Sequence, residues 1–107
     1  MIATQMIDHL TLVVDDLDRS ARFYTEILDF KIIERPTFTL NGRWLGRGPF
    51  QIHLNESGPD AGRPGIEVRG AGSRSYAFHV AFRVADIDDA LKKARAHGLS
   101  IIDGPGD

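Results

Sequence analysis

The sequence predicts an α+β fold built from paired βαβββ modules, with the second module apparently incomplete at the C-terminus. Three observations predict it. The stretch HLTLVVDDLD at 9–18 returns seventy residues later as HVAFRVADID at 79–88, with His9/His79, Val14/Val84, Asp16/Asp86 and Asp18/Asp88 identical. Each copy runs from a short β-rich stretch into a helix signal and then into a second short apolar stretch. The first copy goes on through two further strand-like runs, where the second copy stops.

Taken in order, IDHLTLVV at 7–14 is short and rich in β-branched residues, which suits a strand. Asp16 follows as a helix N-cap, and Leu17, Ala21, Tyr24 and Leu28 recur at helical spacing as an apolar stripe. FKIIE at 30–34, GRWLGRG at 42–48 and FQIHLNE at 50–56 read as three more strands, the last two joined around the turn-former Pro49. Residues 1–56 are therefore the first module. Residues 57–75 are rich in Gly, Pro and Arg and read as a connector, and residues 76–107 open the second module, all within a single domain.

In that second copy, 77–84 matches the first strand and Asp86 the N-cap. Ile87, Ala90, Leu91 and Ala94 share one helical face, and Gly98 suits a left-handed C-terminal residue. Asp88 and Asp89 near the start and Lys92, Lys93 and Arg95 near the end complement the helix dipole. LSII at 99–102 is a strand expected to match 30–34 after one deletion at the helix end. Module one would still have two strands to run where the chain reads IIDGPGD. A strand there without a neighbour leaves backbone groups open, so either the chain continues further or another chain covers the edge; the first is favoured.

Composition narrows the class. The chain has 107 residues, 42% of them hydrophobic and 26% charged, enough for the core of a globular domain. Its formal charge is −2 and its 13 basic residues are scattered, which argues against nucleic acid or an anionic membrane as partner. There is no cysteine, so disulfides, thiolate metal sites and thiol nucleophiles are excluded. Neither a membrane span nor a long apolar secretion signal stands out, and cytoplasmic residence is expected. No serine sits in a G-x-S-x-G setting, and GAGSRS at 70–75 lacks the lysine and strand–loop–helix context of a phosphate loop.

The histidines fall on one strand phase. Leu10, Leu12 and Val14 pack in strand one, leaving His9 and Thr11 on the other side. Phe50, Ile52 and Leu54 pack in 50–56, while Gln51, His53 and Asn55 face away; Phe78, Val80, Phe82 and Val84 pack in 77–84, opposite His79, Ala81 and Arg83. His97, at the end of the second helix, does not join them. A polar residue on the non-packing face of a strand is usually just solvated. Yet His9 and His79 occupy equivalent places in a duplicated unit, and pairing of the units about a pseudo-two-fold axis would bring two imidazoles together as a divalent-metal site.

Read together, IDHLTLVVDDLDRSARFYTEILDFKI, WLGRGPFQIHL and HVAFRVADIDDALKKARAHG resemble the vicinal oxygen chelate superfamily. That superfamily includes glyoxalase I, bleomycin-resistance proteins, extradiol dioxygenases, methylmalonyl-CoA epimerase and fosfomycin-resistance enzymes. The resemblance implies a glyoxalase-like fold, in which two βαβββ modules curl into a cup around a divalent cation. It implies His9 and His79 as ligands from the first strand of each module and His53 as the ligand from the last strand of module one. A fourth ligand, usually Glu, would fall near position 123, past Asp107. Asp29 stands where members carry glycine, so the turn after the first helix is expected to differ.

Three functions compete. The first is a divalent-metal enzyme (Zn, Ni, Mn, Fe or Co) that chelates vicinal oxygens of a small-molecule substrate, with lyase, isomerase, glutathione-transferase-like or dioxygenase chemistry. Its metal ligands are His9, His53 and His79; Gln51, Asn55 and Arg83 share the cavity phase as substrate-binding candidates, and no general base is assigned. The second is a metal-free binding protein of the bleomycin-resistance type, with Trp44 and Tyr76 lining its cleft. The third is an inactive scaffold. A homodimer is implied by the family.

Overall fold

The computed structural model describes residues 1–64 and 79–101 of the chain. Two compact units divide it, Met1–Gly65 and Ile66–Asp107. In the first, strands β1 (His9–Val14), β2 (Lys31–Ile33), β3 (Gly42–Arg47) and β4 (Phe50–Glu56) form one mixed sheet in the order β1-β4-β3-β2. β1 runs parallel to β4, and β3 is antiparallel to both β2 and β4. With helix α1 (Leu17–Arg22) between β1 and β2, this is the βαβββ order expected from the sequence.

The β3–β4 hairpin is closed by Gly48 and Pro49 between the paired residues Arg47 and Phe50. Gly48 has φ 57°, which a two-residue hairpin of type II′ requires at its first central position. That turn fixes the register: Trp44 lies opposite His53, and Leu45 opposite Ile52. On β1, Thr11 lies opposite His53 and Leu12 opposite Leu54.

One sheet face carries the core. Leu45, Ile52 and Leu54 are wholly buried beneath Leu17, Ala21 and Phe30, with Leu12, Val14, Tyr24, Leu28 and Phe50 packed around them. Burying such aliphatic side chains contributes roughly 1.5–3 kcal/mol each, which is what holds the helix on the sheet. Tyr24 and Phe30 meet edge to face at 6.0 Å between ring centres, and Phe30 meets Phe50 at 6.3 Å.

α1 begins as the sequence predicts, with the Asp16 carboxylate accepting from the Arg19 N–H at 3.0 Å. Its continuation is not α-helical. Phe23–Ile27 is a π-helical segment, and the Thr25 hydroxyl donates to the Ala21 carbonyl at 2.9 Å, competing with the backbone for that acceptor. The chain then reverses at Asp29, φ 60°, and the Phe30 N–H bonds back to the Tyr24 carbonyl. The turn is thus made by an aspartate in the left-handed region, where a side chain is disfavoured.

In the second unit, helix α2 (Ile87–Ala96) is capped as expected: the Asp86 carboxylate accepts from the Asp89 N–H, and Gly98 has φ 77°. Two expectations fail there. Residues 79–84 form no strand, and neither do 99–101; the remainder of each expected strand lies outside the described residues. The expected packing phase is also open, with Phe82 and Val84 41% and 45% exposed, and α2 has no buried residue. Extended backbone becomes strand only when a neighbour takes up its N–H and C=O groups, and among the described residues 79–84 has no such ladder.

Two substitutions test this account. A Cβ at Gly42 would stand 2.6 Å from the Leu54 carbonyl oxygen, a backbone atom that cannot swing aside. Gly42→Ala is expected to cost about 1–3 kcal/mol in urea unfolding. Asp29→Gly removes the penalty at φ 60° and gives up only the exposed contacts to Lys31 and Arg47, at 3.4 and 3.9 Å. It is expected to raise stability by about 0.5–1 kcal/mol in the same assay.

Candidate functional site

The sheet face turned away from α1 is built by alternation. His9, Thr11 and Val13 on β1, Gln51, His53 and Asn55 on β4, and Gly42, Trp44 and Gly46 on β3 share it. The glycines on either side of Trp44 are covered by other side chains, Arg35 over Gly42 and Ile33 beside Gly46, and flat rings lie against this face. There are three: the Trp44 indole stacks on the His53 imidazole at 4.0 Å and 5°, and His53 stacks on His9 at 3.9 Å and 17°. Phe38 flanks Trp44 at 6.1 Å and 42°.

His53 is therefore buried, 8% exposed, although it lies on the polar phase. Its Nε2 is 2.9 Å from the Gln51 Oε1. A carboxamide oxygen only accepts, so Nε2 carries the proton and Nδ1 the lone pair. His9 has the opposite tautomer. Its Nδ1 lies 2.8 Å from the Asp8 Oδ2, so the ring donates there, and in the neutral form the lone pair is on Nε2.

Arg35 completes the face. It lies over Gly42, sets its guanidinium 4.9 Å from the centre of the Phe38 ring, and donates from one terminal nitrogen to the Leu40 carbonyl at 2.7 Å. Its Nε is buried without a hydrogen-bond partner among the described residues. Burial pushes the His53 imidazole below its usual range; His9 and Arg35 push the same way, and Asp8 opposes them.

Of the six residues singled out from the sequence, the structure joins His9, His53 and Gln51 in one contact cluster. Asn55 shares their sheet face, opposite Val13 on β1 and Gly42 on β3. His79 and Arg83 belong to the second unit, exposed on the segment that precedes α2. Tyr76 lies outside the described residues. Sequence reasoning missed Asp8 and Arg35; a carboxylate immediately before a histidine was the available signal for the first.

Comparison with known proteins places this arrangement. The profile of the Glyoxalase/Bleomycin resistance protein/Dioxygenase superfamily matches residues 6–107. The chain belongs to that superfamily. It is 34% identical over 103 residues to virulence protein STM3117 of Salmonella typhimurium, covering 92% of this chain and 64% of the relative. The crystal structure of STM3117 superposes with a TM-score of 0.62, over 98% of this chain and 78% of that one. Glyoxalase domain-containing protein RDO1 of Mycosarcoma maydis is 27% identical, over 97% of this chain and 54% of the relative. The chain thus spans between half and two thirds of the length of these two relatives. The fosfomycin resistance protein FosX of Listeria monocytogenes shares the fold at 20% identity, with a TM-score of 0.65 over 94% of this chain and 70% of that one. A FosX variant has been crystallised with Mn(II) and 1S,2S-dihydroxypropylphosphonic acid. The superfamily assignment and the mixed-sheet α+β fold agree with the sequence resemblance.

Imidazole nitrogens are suitable donors for a divalent ion, and the Asp8 contact to the far nitrogen of His9 is the support that metal-binding histidines characteristically have. The ring arrangement fits less well. An ion bound about 2.1 Å from an imidazole nitrogen lies in the plane of that ring. Two rings stacked within 17° of parallel share no point of both planes within bonding reach, so one must turn before both can bind one ion. Among the described residues, no three His, Asp or Glu side chains form a metal-binding group. None of the described helices is long and apolar enough to cross a membrane.

The depressed His53 has a consequence for stability. In the unfolded chain its imidazole takes a proton near pH 6.5, whereas the folded state resists that proton to lower pH. Above about pH 6.5 the ring is neutral in both states and has no effect. As pH falls below that value the unfolded state gains protons first, and stability drops until the folded ring also titrates. Urea midpoints measured in EDTA from pH 8 to 5 are expected to fall more steeply in the wild type than in His53→Gln.

Proposed function

We propose that this chain forms a divalent-metal site of the vicinal oxygen chelate type and acts as an enzyme on a small molecule with two neighbouring oxygens. The observation that carries the reading is His9, whose Nδ1 donates to Asp8 and whose Nε2 keeps its lone pair on a sheet face backed by core. A Mn(II) complex of the structural neighbour FosX supports it. His9 and its repeat equivalent His79 would supply two ligands, with His53 as the third.

An ion held there supplies Lewis acidity, stabilising negative charge on a substrate oxygen. The protein's part is positional. Asp8 fixes the His9 tautomer, Gln51 and Asn55 present amide groups on the same face, and Arg83 offers a cation to an anionic substrate. The same reading includes the cytoplasm and a homodimer. Its reaction is of the lyase, isomerase, glutathione-transferase-like or dioxygenase kind, and the ion one of Zn, Ni, Mn, Fe or Co.

The test is metal content and calorimetric titration of the purified protein with Mn(II) and Zn(II). Stoichiometric binding is expected, lost in His79→Ala and weakened about tenfold in Asp8→Asn. Metal content at background after reconstitution would overturn the reading.

The three-ring stack also favours a second one, a metal-free binding protein that lays a flat ligand on the Trp44 face. Trp44 is the single tryptophan of the chain, so its fluorescence reports on that face alone. Ligand-dependent quenching that persists unchanged in EDTA would select this alternative.

A further inference from the structure

We infer that Trp44 is a positioning residue that holds His53 out of ligand geometry, so that capture of a divalent cation by His53 and His9 must break the three-ring stack. This rests on the metal reading above and adds a conformational step to it.

His53 is held on three sides: the indole covers one ring face at 4.0 Å, the His9 imidazole covers the other at 3.9 Å, and Gln51 binds the Nε2 edge. The lone pair of a neutral imidazole lies in its ring plane, so two nearly parallel rings face to face cannot direct theirs at one ion. His53 becomes a ligand together with His9 only by turning. Turning separates it from Trp44, from His9, or from both.

The stacked state is therefore a competitor of the chelating state. Contacts that favour it lower the apparent affinity for the ion by the fraction of molecules held in it. Trp44 is held in the sheet by β3 and faces His53 directly across the β3–β4 pair. It gains nothing from the ion itself, so its contribution falls wholly on the competing state. Gln51 acts in the same sense through the ring edge. Removing either contact is expected to tighten binding, opposite to the usual effect of trimming a site.

Zn(II) is the appropriate probe, because a filled d shell has no unpaired electrons to quench an indole. Emission of Trp44 and calorimetry are followed on the same samples. The expected result is an emission change that saturates with the calorimetric midpoint and is absent in His53→Ala. Trp44→Leu and Gln51→Leu are expected to bind Zn(II) about three- to tenfold more tightly than the wild type. Should Trp44→Leu fail to fold, Gln51→Leu and the wild-type emission decide the matter. Zn(II) binding with unchanged emission, or with no gain in either folded variant, overturns the gating step and leaves the metal site standing. Absence of both Zn(II) and Mn(II) binding in the wild type removes the two together.

Discussion

Strand β4 has both of its faces covered, and most of what the first unit does follows from that constraint. Ile52 and Leu54 are wholly buried against the helix side. Between them His53 points the other way and is buried as well, under rings rather than under aliphatic side chains. A period-two strand cannot move one face without moving the other. The packing that seats α1 therefore also fixes the height and register of His53 relative to Trp44 and His9, and the position of the candidate site is set by the core.

Among the described residues, a histidine in that position is buried without an ionic partner of its own. The structure meets the cost by keeping it neutral, with one nitrogen bonded to Gln51 and both ring faces in contact. Asp8 does for His9 what Gln51 does for His53, from an exposed position where a carboxylate stays hydrated. The two imidazoles thus differ in tautomer and in solvent exposure although their rings touch. Chemically they are not interchangeable: His53 is buried between two rings, whereas His9 is 40% exposed at its side chain.

Much of this was legible from residues alone. Alternation in FQIHLNE separates Ile52 and Leu54 from His53, and Asp16 and Asp86 announce their helices by chemistry that needs no tertiary partner. What stayed hidden depends on contacts between elements. The Trp44–His53 stack requires the β3–β4 register, which a two-residue turn through Gly48 sets and alternation by itself does not. The burial of His53 follows from that stack. In the second unit, 79–84 has strand-like composition yet is not assigned as strand among the described residues, because composition alone does not make a sheet. Asp29 shows the reverse case: where glycine is the usual choice an aspartate takes the left-handed turn, as the chain reverses between the helix and Phe30.

The π-helical segment Phe23–Ile27 explains an irregularity of the internal repeat. Asp29 and Gly98 are the left-handed residues that end the two helices, yet Asp29 lies thirteen positions after its N-cap and Gly98 only twelve after its own. A widened turn consumes one residue more than an α-turn over the same rise. The first copy thus carries its surplus residue as a bulge in the helix, before Ile32 and Ile33 enter the sheet beside β3. The one-residue length difference between the two copies falls within the helical segment of the first, ahead of the left-handed residue that ends it.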